Sequence, residues 1–174
     1  MTLLLELAHG LPWLYFSLVF LFSLMIGSFL NVVIHRLPIM LEREWQAEYR
    51  SYFAPDEEAT APERYNLMVP RSACPHCGHA ITALENIPLL SWLWLKGRCR
   101  DCQAPISARY PLVELLTALP SVAVAMVITP GWSTLAALLL TWILVALTFI
   151  DLDKMLLPDQ LTLPLLWGGL LFNL

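Results

Sequence analysis

Leu115–Ile150 reads LLTALPSVAVAMVITPGWSTLAALLLTWILVALTFI, 36 residues without one Asp, Glu, Lys or Arg. As a single helix it would measure about 54 Å, far more than the roughly 30 Å of bilayer hydrocarbon. Thr129-Pro130-Gly131 near its middle is a turn signal. The run therefore predicts two membrane helices, 112–128 and 133–150, joined by a tight hairpin. Pro120 falls inside the first, where a neighbouring helix can re-satisfy the carbonyl it frees.

The same reading extends outward in both directions. Leu7–His35 is a second uncharged run, of 29 residues, and predicts a membrane helix at 12–34. It is not a cleaved leader, because no Lys or Arg precedes it, it is too long, and no A-x-A site closes it. Downstream, the 14 apolar residues Leu161–Leu174 make about 21 Å of helix, short of a full span. The expectation is an incomplete last helix in a C-terminally truncated chain. Composition agrees: 58% of the 174 residues are hydrophobic and 14% charged, against about 25% charged in soluble domains. So apolar a chain is not disordered, and four cysteines are too few for a disulfide scaffold. The net charge of −4 gives no basic field for nucleic acid. The fold class expected is an all-α polytopic membrane protein with about four transmembrane helices, the last incomplete, and a four-cysteine zinc-knuckle loop. The segments are 1–35, 36–111 and 112–174.

Nine of the ten basic residues lie between Arg36 and Arg109, and the tenth is Lys154. The positive-inside rule places the 35–111 segment in the cytoplasm, with the N-terminus and the uncharged hairpin at Pro130 outside. Within that segment, 40–66 reads as a short surface helix followed by a flexible linker. Cys74-Pro75-His76-Cys77 and Cys99-Arg100-Asp101-Cys102 then form C-x2-C-x21-C-x2-C. Two such knuckles bring four thiolates to one tetrahedral zinc ion. Disulfides are disfavoured on the cytoplasmic side, and a redox C-x-x-C comes singly. Gly78 sits where a tight knuckle needs positive φ. His76 and His79 are bystanders once four thiolates fill the sphere. Glu85–Leu95 between the knuckles is too short to span and too apolar for water. Either it lies at the bilayer interface with Trp92 and Trp94 at headgroup level, or it packs in a core.

The third helix runs directly into Asp151-Leu152-Asp153-Lys154-Met155-Leu156-Leu157-Pro158-Asp159. Acids at membrane depth mark function, and Asp151 continues the apolar helix, at a terminus whose dipole disfavours an anion. Asp153 and Asp159 fit a plain polar loop, and Asp159 beside Pro158 suits a helix cap.

Gly27-Ser28-Phe29-Leu30-Asn31-Val32-Val33-Ile34-His35-Arg36-Leu37-Pro38, the two C-x2-C pairs, Glu85-Asn86-Ile87-Pro88, Arg109-Tyr110-Pro111-Leu112-Val113-Glu114, and Asp151-Leu152-Asp153 through Leu157-Pro158-Asp159 stand in one order along nearly the whole chain. In this the sequence resembles bacterial type IV prepilin peptidases, polytopic aspartyl proteases of the GxGD class. The resemblance implies cleavage of the leader peptide from type IV prepilins and type II secretion pseudopilins at the bacterial inner membrane. It also implies N-methylation of the new N-terminus with S-adenosylmethionine, an activity associated with the cysteine-bearing loop. It makes Asp151 the first of two catalytic aspartates, the second lying in a G-x-G-D motif. The glycines here are 10, 27, 78, 97, 131, 168 and 169, and none precedes an Asp. A carboxylate dyad needs one ionised and one protonated acid, so these residues hold one half of it. The alternative is a non-catalytic or degenerate membrane zinc-binding module.

Overall fold

The computed structural model describes residues 2–53 and 64–174, with side chains from Glu6 onward. Among the described residues there are six α-helices and no strand: α1 (Thr2–Gly10), α2 (Pro12–Phe53), α3 (Leu90–Trp94), α4 (Arg109–Val127), α5 (Trp132–Lys154) and α6 (Asp159–Phe172). Three of them, α2, α4 and α5, are long and apolar enough to cross a membrane. The 14 residues of α6 are not. The hairpin expected at Thr129-Pro130-Gly131 separates α4 from α5.

The helix expected at 12–34 runs instead to Phe53, 42 residues in all, or about 63 Å. Sequence reading stopped it where the uncharged run ends, at His35. The helix continues because its inner face keeps packing: Leu37, Pro38 and Leu41 are buried. Arg36 is buried as well, and its guanidinium donates to the Asn66 carbonyl at 2.9 Å. The Tyr65 ring lies under both Arg36 and Arg43. The surface helix expected after residue 40 is thus the end of α2. The linker expected beyond it falls largely on 54–63, outside the described residues.

The core joins Leu30, Val33, Ile34, Leu37 and Leu41 of α2 to Val113 of α4 and to Trp142, Ala146 and Ile150 of α5. At Gly27 the two backbones nearly touch: a Cβ there would lie 2.7 Å from the Glu114 Cα. Small residues at such a crossing are how membrane helices gain packing energy. Among the described residues the buried Ser23 Oγ has no hydrogen-bond partner, but other polar groups inside the bundle are satisfied in series. The Trp142 indole N–H donates to Ser121 Oγ at 2.9 Å, and the Ser121 hydroxyl donates to the Thr117 carbonyl. Helix α6 contributes no buried residue.

Candidate functional site

Each C-x2-C pair sits on a tight turn closed by two backbone bonds. Cys74 N–H donates to His79 O and Gly78 N–H to Cys74 O; Cys99 N–H donates to Ala104 O and Gln103 N–H to Cys99 O. The fifth residue of each turn adopts positive φ, +74° at Gly78 and +58° at Gln103. The repeat was legible at Gly78; at Gln103 no glycine announces it.

The two turns face each other and bring all four Sγ atoms within 4.8 Å of one another. The separations across the cluster are 3.8 Å for Cys74–Cys102 and 3.9 Å for Cys77–Cys99. A tetrahedron with metal–sulfur bonds of about 2.3 Å has edges of about 3.8 Å, so the donor set fits one metal ion. The proton affinities point the same way. The backbone N–H groups of Cys77 and His76 lower the Cys74 thiol to about 6. For Cys77, the His79 N–H favours the thiolate. Desolvation and hydrogen bonding to the sulfurs of Cys102, Cys74 and Cys99 outweigh it and push the thiol up to about 12. Four thiols this close do not all ionise without a cation among them.

His79, expected as a bystander, clamps the two turns together. Its Nδ1 lies 2.8 Å from Asp101 and its Nε2 3.2 Å from Glu85. Glu85 is held in turn by the Thr82 backbone N–H and hydroxyl, each at 2.9 Å. These bonds and His79 hold its carboxyl down at about 2.

The segment between the turns forms a 3₁₀ turn (Leu84–Asn86) and α3. Leu90, Leu93 and Trp94 stand out from it, Trp94 being 82% exposed, as an interfacial segment requires. Trp92 does not join them. Its indole N–H donates to the Ile106 carbonyl at 3.2 Å, and its ring covers Gly97, whose φ of +67° and lack of a Cβ leave room for it. The bond and the contact hold Trp92 inside the loop.

The loop is bolted to the bundle by Glu114, a residue that sequence reading passed over as part of a motif. The residue is only 7% exposed, and its carboxylate accepts the Leu89 N–H at 2.8 Å, where Leu89 has φ +57°. A cavity of about 620 Å³ opens between the cysteine loop and the α2–α4 crossing, with Glu114 in its wall.

At the far end of α5, Asp151 lies exposed in the last helical turn, which Met155 closes in the left-handed conformation by donating to the Asp151 carbonyl. Asp153 is more than a loop acid: the Arg109 guanidinium grips it with both nitrogens, and the Arg109 side chain also lies over the Phe149 ring. Lys154 pairs with Glu42 at 3.0 Å. Asp159 does not cap α6. Pro158 holds the cap position, no side chain bonds there, and Asp159 lies in the first turn, where the helix dipole favours an acid. Arg109 meets Asp153, and Glu42 meets Lys154, across long sequence separations, so no local spacing reveals them.

The family model described as Bacterial Peptidase A24 N-terminal domain matches residues 21–128, and that of the Type IV leader peptidase family matches 138–174. The chain belongs to the bacterial A24 peptidase family. Its curated A24 relatives include the prepilin leader peptidase/N-methyltransferase of Aeromonas hydrophila, 88% identical over 174 residues, all of this chain and 60% of that protein. Those of Dichelobacter nodosus and Pectobacterium carotovorum subsp. carotovorum are 57% and 49% identical, over 87% and 97% of this chain and 54% and 60% of theirs. The chain thus spans about 60% or less of the length of these curated relatives. No solved structure matches it.

Proposed function

We propose that this chain carries the cysteine loop and the first catalytic acid of a prepilin leader peptidase/N-methyltransferase. In this reading, residues 1–35 form the first membrane segment. Residues 36–111 form the cytoplasmic loop associated with methylation, and 112–174 begin the peptidase portion. The site faces the cytoplasm from the bacterial inner membrane, and the substrates are type IV prepilins and type II secretion pseudopilins. The observation that supports it best is the position of Asp151, a carboxylate exposed where the uncharged run of α5 ends. An acid so placed reaches a peptide bond at the membrane edge, where the leader leaves the bilayer.

Hydrolysis then divides between two acids. The Asp151 carboxylate takes a proton from the attacking water. The partner acid, in protonated form, donates a hydrogen bond to the scissile carbonyl oxygen and later shares the proton. The family resemblance assigns that partner to a G-x-G-D segment, which these 174 residues do not contain.

Zinc suits the four sulfurs, and Cys74, Cys77, Cys99 and Cys102 would hold it. With four protein ligands it leaves no open position, so it supplies a structural cross-link and no Lewis acid. S-adenosylmethionine would supply the methyl group when bound.

The test is leader removal from a prepilin in membranes carrying the chain together with a G-x-G-D half. Asp151→Asn should abolish cleavage, because an amide cannot accept the water proton. Full cleavage by Asp151→Asn would overturn the assignment.

A further inference from the structure

Glu114 is a residue only 7% exposed on a helix of the bundle, and no Lys, Arg or His lies within ion-pair distance of it among the described residues. A buried charge without a partner is costly enough that proteins avoid it. One hydrogen bond, from Leu89 N–H, satisfies part of the carboxylate, and Ser28 lies within hydrogen-bonding reach of it. The charge itself is unanswered.

The cavity beside it is lined by two carboxylates, Glu85 and Glu114, and by three arginines, Arg36, Arg71 and Arg100. Its volume of about 620 Å³ is in the range that encloses a nucleoside-sized ligand. Asn31 spends one amide N–H on the Tyr110 carbonyl at 3.1 Å, which leaves its other N–H and its carbonyl oxygen to meet a ligand. Trp92 lines the cavity with an aromatic surface, which attracts a cation. Of the cations on the lining, Arg36 is turned to the Asn66 carbonyl and the Tyr65 ring, and Arg100 lies 3.7 Å from Glu85. Arg71 and Arg100 are exposed, so they stand at the mouth, where a ligand carboxylate would meet them.

We propose that this cavity is the methyl-donor pocket, and that the Glu114 carboxylate faces the sulfonium of a nucleoside-sized methyl donor. This rests on the N-methyltransferase reading above. It assigns a site where the cysteine cluster does not: the thiolates hold the wall in place, and Glu114 supplies the charge. Leu89, held at positive φ by the same carboxylate, ties the wall to the floor.

Two ligands that differ in the sulfur charge test it, with binding to the zinc-loaded protein in detergent measured by calorimetry. S-adenosylmethionine carries the sulfonium, and S-adenosylhomocysteine has a neutral sulfur. Glu114→Gln keeps an oxygen for the Leu89 N–H and removes the charge. It should weaken S-adenosylmethionine at least about tenfold and leave S-adenosylhomocysteine little changed, with metal content and melting temperature retained. Val32→Phe fills the cavity from α2 without removing a hydrogen-bond partner of the carboxylate and should exclude both ligands. Unchanged binding of S-adenosylmethionine in either variant would overturn the proposal. So would an equal loss of both ligands in Glu114→Gln, which would reduce Glu114 to a latch. In those cases the wild-type protein still binds the donor, and the methyltransferase reading stands. A wild-type protein that neither binds nor uses the donor would sink that reading itself.

Discussion

Arg109 holds Asp153 through two parallel hydrogen bonds of 2.8 and 2.5 Å, so the first turn of α4 is fastened to the last turn of α5 two residues beyond Asp151. Both side chains are about two-fifths exposed, and pairs of that kind stabilise by less than about 1 kcal/mol. The pair's value is geometric, because it fixes the direction in which the α5 terminus presents Asp151.

Arg109→Ala and Asp153→Asn should therefore barely move the melting temperature while lowering kcat for leader cleavage, by up to about 10²-fold. Arg109→Lys should rescue incompletely, since an ammonium cannot fork onto two oxygens. Both losses should stay below that of Asp151→Asn, and Asp159→Asn should be milder still. A fall in activity that merely tracks stability would make the pair structural.

Gly27→Ala should separate the bundle. Its new Cβ would meet backbone, the Glu114 Cα at 2.7 Å, with Thr117 only slightly farther. Backbone cannot swing away as a side chain can, and overpacking of this kind costs about 1–3 kcal/mol. The loss should be read by denaturation in detergent, together with greater proteolysis of the cysteine loop. A neutral Gly27→Ala would mean that the crossing is looser than it is drawn here.

Purified protein should contain one zinc per chain, with X-ray absorption giving four sulfurs at about 2.3 Å. Cys99→Ser, or a strong chelator, should release it and raise hydrogen exchange across 72–106, because metal binding is part of that loop's folding energy. Sulfur–sulfur bonds and no metal would refute the site.

Glu85 gives the loop an acid-sensitive component of known sign. Its carboxyl sits at about 2 in the folded loop against 4.5 ordinarily, so its stabilisation is complete above pH 4.5 and is lost as pH falls from 4.5 toward 2. Thiolate protonation adds to this in the wild type and in Glu85→Gln alike. The difference between the two proteins isolates Glu85: it should be constant above pH 4.5 and shrink below it, followed by hydrogen exchange of the loop. A difference that grows as pH falls would contradict the contact.

An epitope inserted at Gly131 should be reached from outside intact cells, and one at Trp94 only after the membrane is opened. The reverse pattern would overturn the orientation drawn from the basic residues.

The helices and the cysteine cluster were legible because each is written locally. An uncharged run longer than a bilayer, a Thr-Pro-Gly turn and two C-x2-C pairs carry their meaning in neighbouring residues. The length of α2 was not legible, since the uncharged run ends at His35 and a charge, Arg36, follows it. Only the distant Asn66 carbonyl and Tyr65 ring explain how an arginine stays buried there. Glu114 escaped for the same reason: its partner, Leu89, belongs to another segment, and nothing in Val113-Glu114-Leu115 shows that the charge is enclosed. Trp92 and Trp94 looked alike in sequence, and the bare Cα of Gly97 with the distant Ile106 carbonyl separates their fates.

The unbroken course of α2 joins two environments with one rigid beam. Its apolar half answers to bilayer thickness by tilting, and its other half, through Arg36 and Asn66 and through the Glu114–Leu89 bond at the α2–α4 crossing, carries the cysteine loop. A tilt in lipid would then be transmitted as a change in the loop's height above the surface.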